Sequence, residues 1–380
     1  MPETTYEHVN TKQTLNRVKE ERMPFDWSIN PYRGCAHGCS FCYARAFQSF
    51  IGRGAEDEFQ HHIVLKQNAP EALEGQLSRM AGKFGYDIEA MRRHIGQVTI
   101  GTATDPYQPI EAKAQLTRDC LKLLAKYRIR TSITTRSPLV VRDLDILTQM
   151  SDLSMNISLN SLDAELIRRL EPASPHPQMR LETVHKLAES GIHTGIFAAP
   201  VLPLLSDSED SMDALLSAAK ERGAAFAMVS LLRLSRDVKA WYMSTLRTHY
   251  PELVPAYVDL YGQGHYADRR YIDRFTEMSS RLLRKHRLSG LPGGTGAVGV
   301  GVGVGIEVGI EVEVEVEVEV EVEVEAGVVG AGEDGKLLPE KPKNPAPVPP
   351  AVKAGRFPAP AAAVTKDEIQ LEAEQLSFPF

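Results

Sequence analysis

Two kinds of hydrophobic pattern alternate along residues 24–233. Short apolar runs rich in β-branched residues predict strands, and longer stretches with apolar residues every three or four positions predict amphipathic helices. The predicted strands are 27–30, 97–102, 130–135, 154–159, 193–198 and 225–231. The predicted helices are 69–80, 117–126, 143–150, 164–169, 179–190 and 211–222.

Strands separated by helices of this length indicate βαβ crossovers and a parallel sheet. Six such units predict an α/β fold, a partial (β/α)6 barrel of the TIM type that spans residues 24–233. In these barrels the chemistry collects at the carboxyl ends of the strands. Residues 1–23 are polar and predict a loose N-terminal arm or a short helix, and 234–288 predict a helical extension whose aromatic residues mostly serve packing.

The composition changes abruptly at Ser289. A Gly-Val run leads into strict Glu-Val alternation from Glu311 to Glu325, and a Pro-rich stretch follows. An all-glutamate face repels itself, so residues 289–370 are predicted to be a disordered tether. The tether is followed by a short C-terminal peptide, residues 371–380.

Charge divides the chain at the same place. The net charge is −7. Residues 291–380 hold 6 basic and 16 acidic residues, so residues 1–290 hold 37 basic and 34 acidic ones. This slightly basic body is compatible with nucleic acid, although ordinary surface charge explains it equally well. Long apolar spans and a signal pattern are missing from the sequence, which predicts a cytoplasmic protein without a membrane partner.

Three of the four cysteines fall within eight residues, at Cys35, Cys39 and Cys42. The spacing C-x3-C-x2-C lets three thiolates hold three corners of a [4Fe–4S] cluster and leaves the fourth iron for a small molecule. A zinc site is the alternative, and it would need a fourth ligand. His37, His61, His62 and Cys120 are the candidates. A second Cys pair, usual in zinc sites, is missing, so the spacing favours iron–sulfur.

The segment NPYRGCAHGCSFCYAR carries a resemblance to a known family. Its cysteine spacing, with Phe41 before the third cysteine, resembles the signature of the radical S-adenosylmethionine superfamily. Together with the later strand ends, it looks like the spore photoproduct lyase-like branch, and most like actinobacterial-type members of unassigned reaction. The resemblance runs from about Pro24 to Arg236.

This resemblance implies two cofactors, a [4Fe–4S] cluster and S-adenosylmethionine, and a 5′-deoxyadenosyl radical that abstracts hydrogen from a substrate. It implies a one-electron reductant of the flavodoxin or ferredoxin type. Tyr43 matches a tyrosine beside the third cysteine of the lyase and is a catalytic candidate. Thr104 and Asp105 stand where family members contact the cofactor's amino group, and Arg136 stands where a basic residue faces its carboxylate.

The next strand end adds two candidates and one departure. Ser158 and Asn160 occupy positions where the ribose is usually held, or else they cap the following helix. Thr102 stands where the lyase carries its hydrogen-donating cysteine, and Cys120 lies in a helical segment typical of buried packing. The resemblance therefore does not imply that this chain shares the final hydrogen-donating step of the lyase.

The last six residues, QLSFPF, resemble the peptide by which bacterial repair proteins dock on the DNA sliding clamp. Leu376, Phe378 and Phe380 would fill an apolar pocket, and Gln375 would form a hydrogen bond at its edge. A tether would raise the local concentration of the enzyme at DNA. The alternative is a frayed end without a partner.

Three hypotheses of function follow. The leading one is a radical enzyme that acts on a DNA lesion or a modified base. The second is a radical enzyme that modifies a protein or a small metabolite, and the third is an iron–sulfur or zinc protein that binds nucleic acid without catalysis.

Overall fold

Six parallel strands, adjacent in chain order, form the centre of the protein. The computed structural model describes residues 4–20, 23–51, 54 and 56–288. The strands are β1 (Thr5–Val9), β2 (Leu15–Arg17), β3 (Trp27–Ile29), β4 (Tyr32–Arg33), β5 (His62–Lys66), β6 (Gln97–Ile100), β7 (Arg130–Thr135), β8 (Leu153–Ser158), β9 (His193–Val201) and β10 (Phe226–Leu231). The main sheet has the order β10-β9-β8-β7-β6-β3-β2, and only β2 runs antiparallel to its neighbour.

Helices connect the parallel strands. They are α1 (Glu58–His61), α2 (Ala69–Lys83), α3 (Ile88–Ile95), α4 (Glu111–Ala114), α5 (Leu116–Lys126), α6 (Leu144–Leu147), α7 (Ala164–Leu170), α8 (Pro177–Glu189), α9 (Glu209–Glu221), α10 (Arg236–His249), α11 (Val254–Tyr261) and α12 (Arg269–Lys285). Three 3₁₀ segments are Tyr43–Ile51, Pro138–Asp143 and Pro251–Leu253. The partial (β/α)6 barrel is confirmed, because each predicted strand overlaps an observed one.

Side chains alternate between the two faces of the sheet. Ile100, Ile133 and Met155 are fully buried in one large apolar core with residues of α2, α5, α8 and α9. The opposite face points into the barrel, and it carries small polar residues such as Thr99 and Ser132. Barrel interiors of this type are usually filled by bulky branched residues. The interior of this barrel is therefore available for something other than packing.

The N-terminal arm was predicted wrongly. β1 pairs in parallel with β5, and β2 pairs with β3. The Gln76 side chain bonds the backbone N–H groups of Thr14 and Leu15 and the Leu15 carbonyl, at 2.8–2.9 Å. Because the partner of β1 lies more than 50 residues further along the chain, the local pattern could not reveal this strand.

Residues 234–288 contain α10, α11 and α12, and some of their aromatic side chains pack in the interior. Tyr242, Tyr257 and Tyr261 are buried. The Tyr257 hydroxyl donates to the Pro203 carbonyl at 2.6 Å, and the Tyr261 hydroxyl donates to that of Leu232 at 2.8 Å. Among the described residues, no helix has the length and apolar character to span a membrane. The predicted tether and the C-terminal peptide lie outside the described residues.

Candidate functional site

The loop after β4 carries the three cysteines and turns at two glycines. Gly34 and Gly38 have φ of +77° and +67°, values that residues with a side chain rarely adopt. A Cβ at Gly34 would also lie 2.5 Å from the His62 carbonyl oxygen. The Cys35 N–H donates to the Phe59 carbonyl at 2.9 Å, which ties the loop to α1. The loop conformation therefore depends on glycine at these positions.

Arg45 holds this loop from behind, a role that the sequence analysis missed. Its side chain is fully buried. Nε donates to the Cys39 carbonyl at 2.7 Å, and Nη2 donates to the Gly38 carbonyl at 2.8 Å. The guanidinium lies about equally far from the rings of Phe59 and Trp241, at 4.9 and 5.0 Å. The only signal in the sequence was an arginine three residues after the third cysteine.

The three thiols lie close enough to influence one another's charge. Burial raises the pKa of all three, that of Cys39 to about 12 although Arg136 opposes the shift. Burial thus opposes loss of a proton from each thiol, and a bound metal would favour the thiolate form. This donor set, three thiols on one buried loop, fits an iron–sulfur cluster.

A site for a single metal ion requires ligands that converge on one point. Within the described part of the chain, no three His, Cys, Asp or Glu side chains are grouped as ligands of one ion. In an iron–sulfur cluster each thiolate binds its own iron, so the sulfurs do not have to converge on one point.

Asp105, at the end of the segment after β6, links this loop to β7. Its Oδ1 accepts hydrogen bonds from Tyr107 N at 2.9 Å and Thr135 Oγ1 at 2.6 Å. Its Oδ2 accepts one from Arg136 N at 2.9 Å and lies 3.4 Å from His37 Nε2. Burial alone would raise the pKa of Asp105, but His37 and these hydrogen bonds lower it to about 2.

Arg136 lies between the cysteine loop and a buried carboxylate. Its Nη1 lies 2.6 Å from Cys39 Sγ and 2.9 Å from Glu171 Oε2. Arg180 Nη2 donates to the same Glu171 oxygen at 2.6 Å. Burial would raise the pKa of Glu171, but Arg180 and Arg136 lower it to about 2. These charged groups fix the end of β7 against the loop.

Thr104 and Gln108 bond the backbone of the loop. The Thr104 hydroxyl donates to the Gly34 carbonyl at 2.6 Å. Gln108 Nε2 donates to Thr104 Oγ1 at 3.1 Å, and Gln108 Oε1 accepts from Ala36 N at 3.1 Å. Gln108 was missed in the sequence, because a glutamine that bonds a distant backbone leaves no local pattern.

Ser158 and Asn160 lie at the end of β8. The Ser158 carbonyl accepts a hydrogen bond from Arg180 Nη1 at 3.1 Å. Asn160 Nδ2 donates to the Pro200 carbonyl at 2.9 Å, and its Oδ1 is buried without a partner among the described residues. The alternative that these residues cap α7 is wrong, because Asp163 accepts from the first N–H groups of that helix.

A cavity of about 840 Å³ joins these elements. It falls within the range of about 300–1,000 Å³ usual for small-molecule sites. The predicted site residues that line it are Cys35, Cys42, Tyr43, Thr104, Asp105, Arg136 and Ser158. Cys39 and Asn160 do not line it, and the predicted clamp-docking residues lie outside the described part of the chain. The predicted contacts of the lining residues with a cofactor stay predictions.

Tyr43 lines this cavity. Its hydroxyl donates to the Thr102 carbonyl, and its ring meets Phe47 edge-on with the centroids 5.8 Å apart. Half of the side chain is exposed. The phenol thus lies beside the third cysteine and against the backbone of Thr102.

Comparisons with known proteins agree with this geometry. A family model described as the radical SAM superfamily matches residues 29–216. An uncharacterised protein of Mycobacterium tuberculosis is 33% identical over 290 residues, covering 75% of this chain and 82% of the relative. An uncharacterised protein of Methanocaldococcus jannaschii is 31% identical over 202 residues, covering 53% of this chain and 69% of the relative.

Among solved structures, spore photoproduct lyase complexed with dinucleoside spore photoproduct shares the fold. The TM-score is 0.54 at 17% identity, and the match covers 73% of this chain and 78% of that one. The family implies an iron–sulfur cluster and S-adenosylmethionine, which the cysteine loop and the adjoining cavity fit. The chain belongs to the radical SAM superfamily and is a radical SAM enzyme.

Proposed function

We propose that this enzyme holds a [4Fe–4S] cluster on Cys35, Cys39 and Cys42 and acts on a damaged or modified base of DNA. One observation carries the proposal. The cavity beside the cysteine loop is lined by the carboxyl ends of the strands and continues into the polar interior of the barrel. A cofactor near the cysteines and a polar substrate further inside would share one enclosed space.

When bound, the cluster supplies the electron that splits S-adenosylmethionine into methionine and a 5′-deoxyadenosyl radical. The chain would position the cofactor. Asp105 carries a carboxylate that suits an amino group, and the planar guanidinium of Arg136 suits a carboxylate. Both line the cavity, together with Thr104 and Ser158. Their existing hydrogen bonds keep them in place before a ligand arrives.

Tyr43 is the proposed hydrogen donor. Its O–H bond would break as a C–H bond forms on the product radical, and the tyrosyl radical would regain an electron from the reductant and a proton from water. Its place in the lining of the cavity, beside the third cysteine, supports this role. In a Tyr43→Phe variant, formation of 5′-deoxyadenosine should persist while the yield of altered nucleotide falls. Equal yields in both proteins would exclude Tyr43 as the donor.

Three observations support nucleic acid as the substrate. The fold matches that of a lyase solved with a dinucleoside photoproduct. Residues 1–290 carry 37 basic and 34 acidic residues, so the body of the chain does not repel phosphates as strongly as the total charge suggests. The cavity also extends beyond the cysteine loop into the barrel. Thr102, in place of the lyase's cysteine, predicts a different final step.

Anaerobic turnover tests this function. The full chain, reconstituted with iron and sulfide and reduced with dithionite, is given S-adenosylmethionine with ultraviolet-irradiated or undamaged DNA. We expect 5′-deoxyadenosine, together with nucleotides altered only in the irradiated DNA. A Cys39→Ala variant is the control and should form neither. Formation of 5′-deoxyadenosine without any change in either DNA would contradict a nucleic-acid substrate.

We also propose that the C-terminal peptide docks the enzyme on the sliding clamp and that a flavodoxin or ferredoxin supplies the electron, which together imply a cytoplasmic enzyme. A pull-down with the clamp compares the full chain with a Leu376→Ala/Phe378→Ala variant. The parent chain should be retained and the variant lost. Equal recovery would remove the docking proposal without affecting the catalytic one.

A further inference from the structure

A row of polar side chains crosses the interior of the barrel below the cysteine loop. The strand register pairs Thr99 with Ser132, Ser132 with Ser154, and Ser154 with His193. All four line the cavity, and we call them the polar row. Because neighbours in register lie at the same height in a sheet, they form one layer across β6, β7, β8 and β9.

Several polar atoms of this region are buried without a hydrogen-bond partner among the described residues. They are Thr99 Oγ1, Ser154 Oγ and, one layer nearer the cysteines, Asn156 Oδ1. Thr99 is 5% exposed and Asn156 3%. Asn156 Nδ2 donates to Ser132 Oγ at 2.9 Å and to Thr134 Oγ1 at 3.2 Å, so only its oxygen remains free. Unpaired buried polar groups destabilise a fold, and native proteins keep few of them.

Apolar and aromatic side chains also line this cavity. They include Phe25 and Phe41 from the N-terminal part of the chain, Leu231 from β10, and Ile272 and Phe275 from α12. A ligand that contacts these side chains and the polar row needs an apolar face and a hydrogen-bonding edge. The row carries no carboxylate, lysine or arginine, and Arg130 and Asp152, which line the cavity beside it, pair with each other at 3.4 Å, which favours a neutral ligand. A nucleobase has this combination of properties.

The row also lies too deep to serve the cofactor's methionine end. Ser132 precedes Thr135, at the end of β7, by three residues, which is about 10 Å along a strand. Arg136 and Asp105, the candidates for the methionine group, lie beyond that end. The row therefore faces a second ligand, which sits deeper than the cofactor.

We propose that the polar row, with Asn156, binds the hydrogen-bonding edge of one neutral nucleobase, which leaves the base stack to enter the barrel. The proposal rests on the proposed function and names the residues that recognise the substrate. A base inside a duplex could not reach Thr99, Ser132 and Asn156, which are buried within the barrel, so the enzyme has to extrude the base or bind a single strand.

The test uses the reconstituted full chain with S-adenosylmethionine present. Equilibrium dialysis measures binding of the four 2′-deoxynucleosides, with 2-deoxyribose as the matched probe without a base. At least one nucleoside should bind, and 2-deoxyribose should not. A Thr99→Val/Ser154→Ala variant should bind that nucleoside about tenfold more weakly, the loss expected for two hydrogen bonds. Its affinity for S-adenosylmethionine should not change, and its unfolding temperature should stay equal or rise.

Thr194→Val is the control, because Thr194 is buried outside the cavity and its hydroxyl donates to the Ile192 carbonyl at 2.9 Å. This variant should unfold at a lower temperature and keep the parent affinity for the nucleoside. The proposal is overturned if no nucleoside binds, if 2-deoxyribose binds equally well, or if the double variant binds like the parent.

Two outcomes distinguish a failure of the proposed function from a failure of this inference. If the parent chain alters DNA and the double variant does so with an unchanged KM, only the role of the polar row is lost. If nucleoside binding depends on the row but DNA is never altered, only the proposed reaction is lost.

Discussion

The cysteine loop and the polar row differ in how their polar groups are partnered. Around the loop, Asp105, Arg136 and Glu171 form ion pairs, and Thr104 bonds the loop backbone. In the barrel interior, buried oxygens such as Thr99 Oγ1 have no partner among the described residues. The loop also contains one such oxygen, Ser40 Oγ, but its charged neighbours are paired before any cofactor binds.

The difference follows from what each region has to hold. An iron–sulfur cluster is rigid, so its three thiolates need a fixed backbone, and preorganised neighbours provide it. A substrate has to enter and leave, so the protein groups that bind it have no hydrogen-bond partner when the site is empty. Unsatisfied groups lower stability, and such a loss is common at functional sites. The cysteine loop thus suits a group that stays bound, and the barrel interior suits a ligand that exchanges with solvent.

Removal of a cysteine should have the largest effect. In Cys39→Ala, iron content and 5′-deoxyadenosine formation should fall by more than about 100-fold, because even loss of a residue behind a metal ligand costs about 10–100-fold. Iron analysis and anaerobic turnover measure both. Cys120→Ala is the matched control, since Cys120 is buried in the core on α5, and it should keep its iron. Loss of iron in both variants would break the assignment of the loop.

Loss of the buried carboxylate should have the next largest effect. Glu171→Gln removes the negative charge between Arg136 and Arg180 and should lower the free energy of unfolding by about 3–5 kcal/mol. Urea unfolding followed by circular dichroism measures it. Glu165→Gln, in an exposed pair with Arg169, should change stability little. Similar effects in both variants would mean that the loop is not held by its buried charges.

The same carboxylate predicts a dependence on pH. The pKa of Glu171 is lowered to about 2 in the folded chain, against about 4.3 in an unfolded one. The ionised form therefore stabilises the fold above pH about 4.3, and this contribution is lost as the pH falls toward 2, an effect of about 3 kcal/mol. Urea unfolding at pH 6 and pH 3 should show the loss, and Glu171→Gln should reduce it. An equal loss in both proteins would place the acid sensitivity elsewhere.

The barrel could be predicted because its strands follow a local pattern. Residues 130–135 were predicted to the residue, since four of the six are β-branched, which favours a strand. The cysteine spacing likewise marked the loop, because the three proposed cluster ligands lie close in sequence. Both signals are carried by neighbouring residues.

Contacts between distant residues could not be predicted. Arg136 was predicted to face a cofactor carboxylate, and the sequence did not show that its guanidinium also pairs with Glu171, 35 residues later. Gln108 accepts from Ala36 N, 72 residues earlier in the chain. Arg45 bonds carbonyls only six and seven residues before it, but the turn of the loop that brings them near its guanidinium leaves no sequence pattern. The polar row was missed for the same reason, since its members come from four strands and look like ordinary strand residues one at a time.

The smallest predicted effect differs in sign between a hydroxyl of the polar row and a partnered hydroxyl outside the cavity. Thr99→Val replaces an unpartnered buried hydroxyl with a methyl group of similar size and should raise the free energy of unfolding by about 1 kcal/mol. Thr194→Val removes a hydroxyl that donates to the Ile192 carbonyl and should lower it by about 1 kcal/mol. Urea unfolding of the two variants, both Thr→Val at buried strand positions, measures the difference directly. If Thr99→Val is as destabilising as Thr194→Val, the hydroxyl of Thr99 already has a hydrogen-bond partner in the empty barrel. The polar row then does not differ in this respect from the groups around the loop.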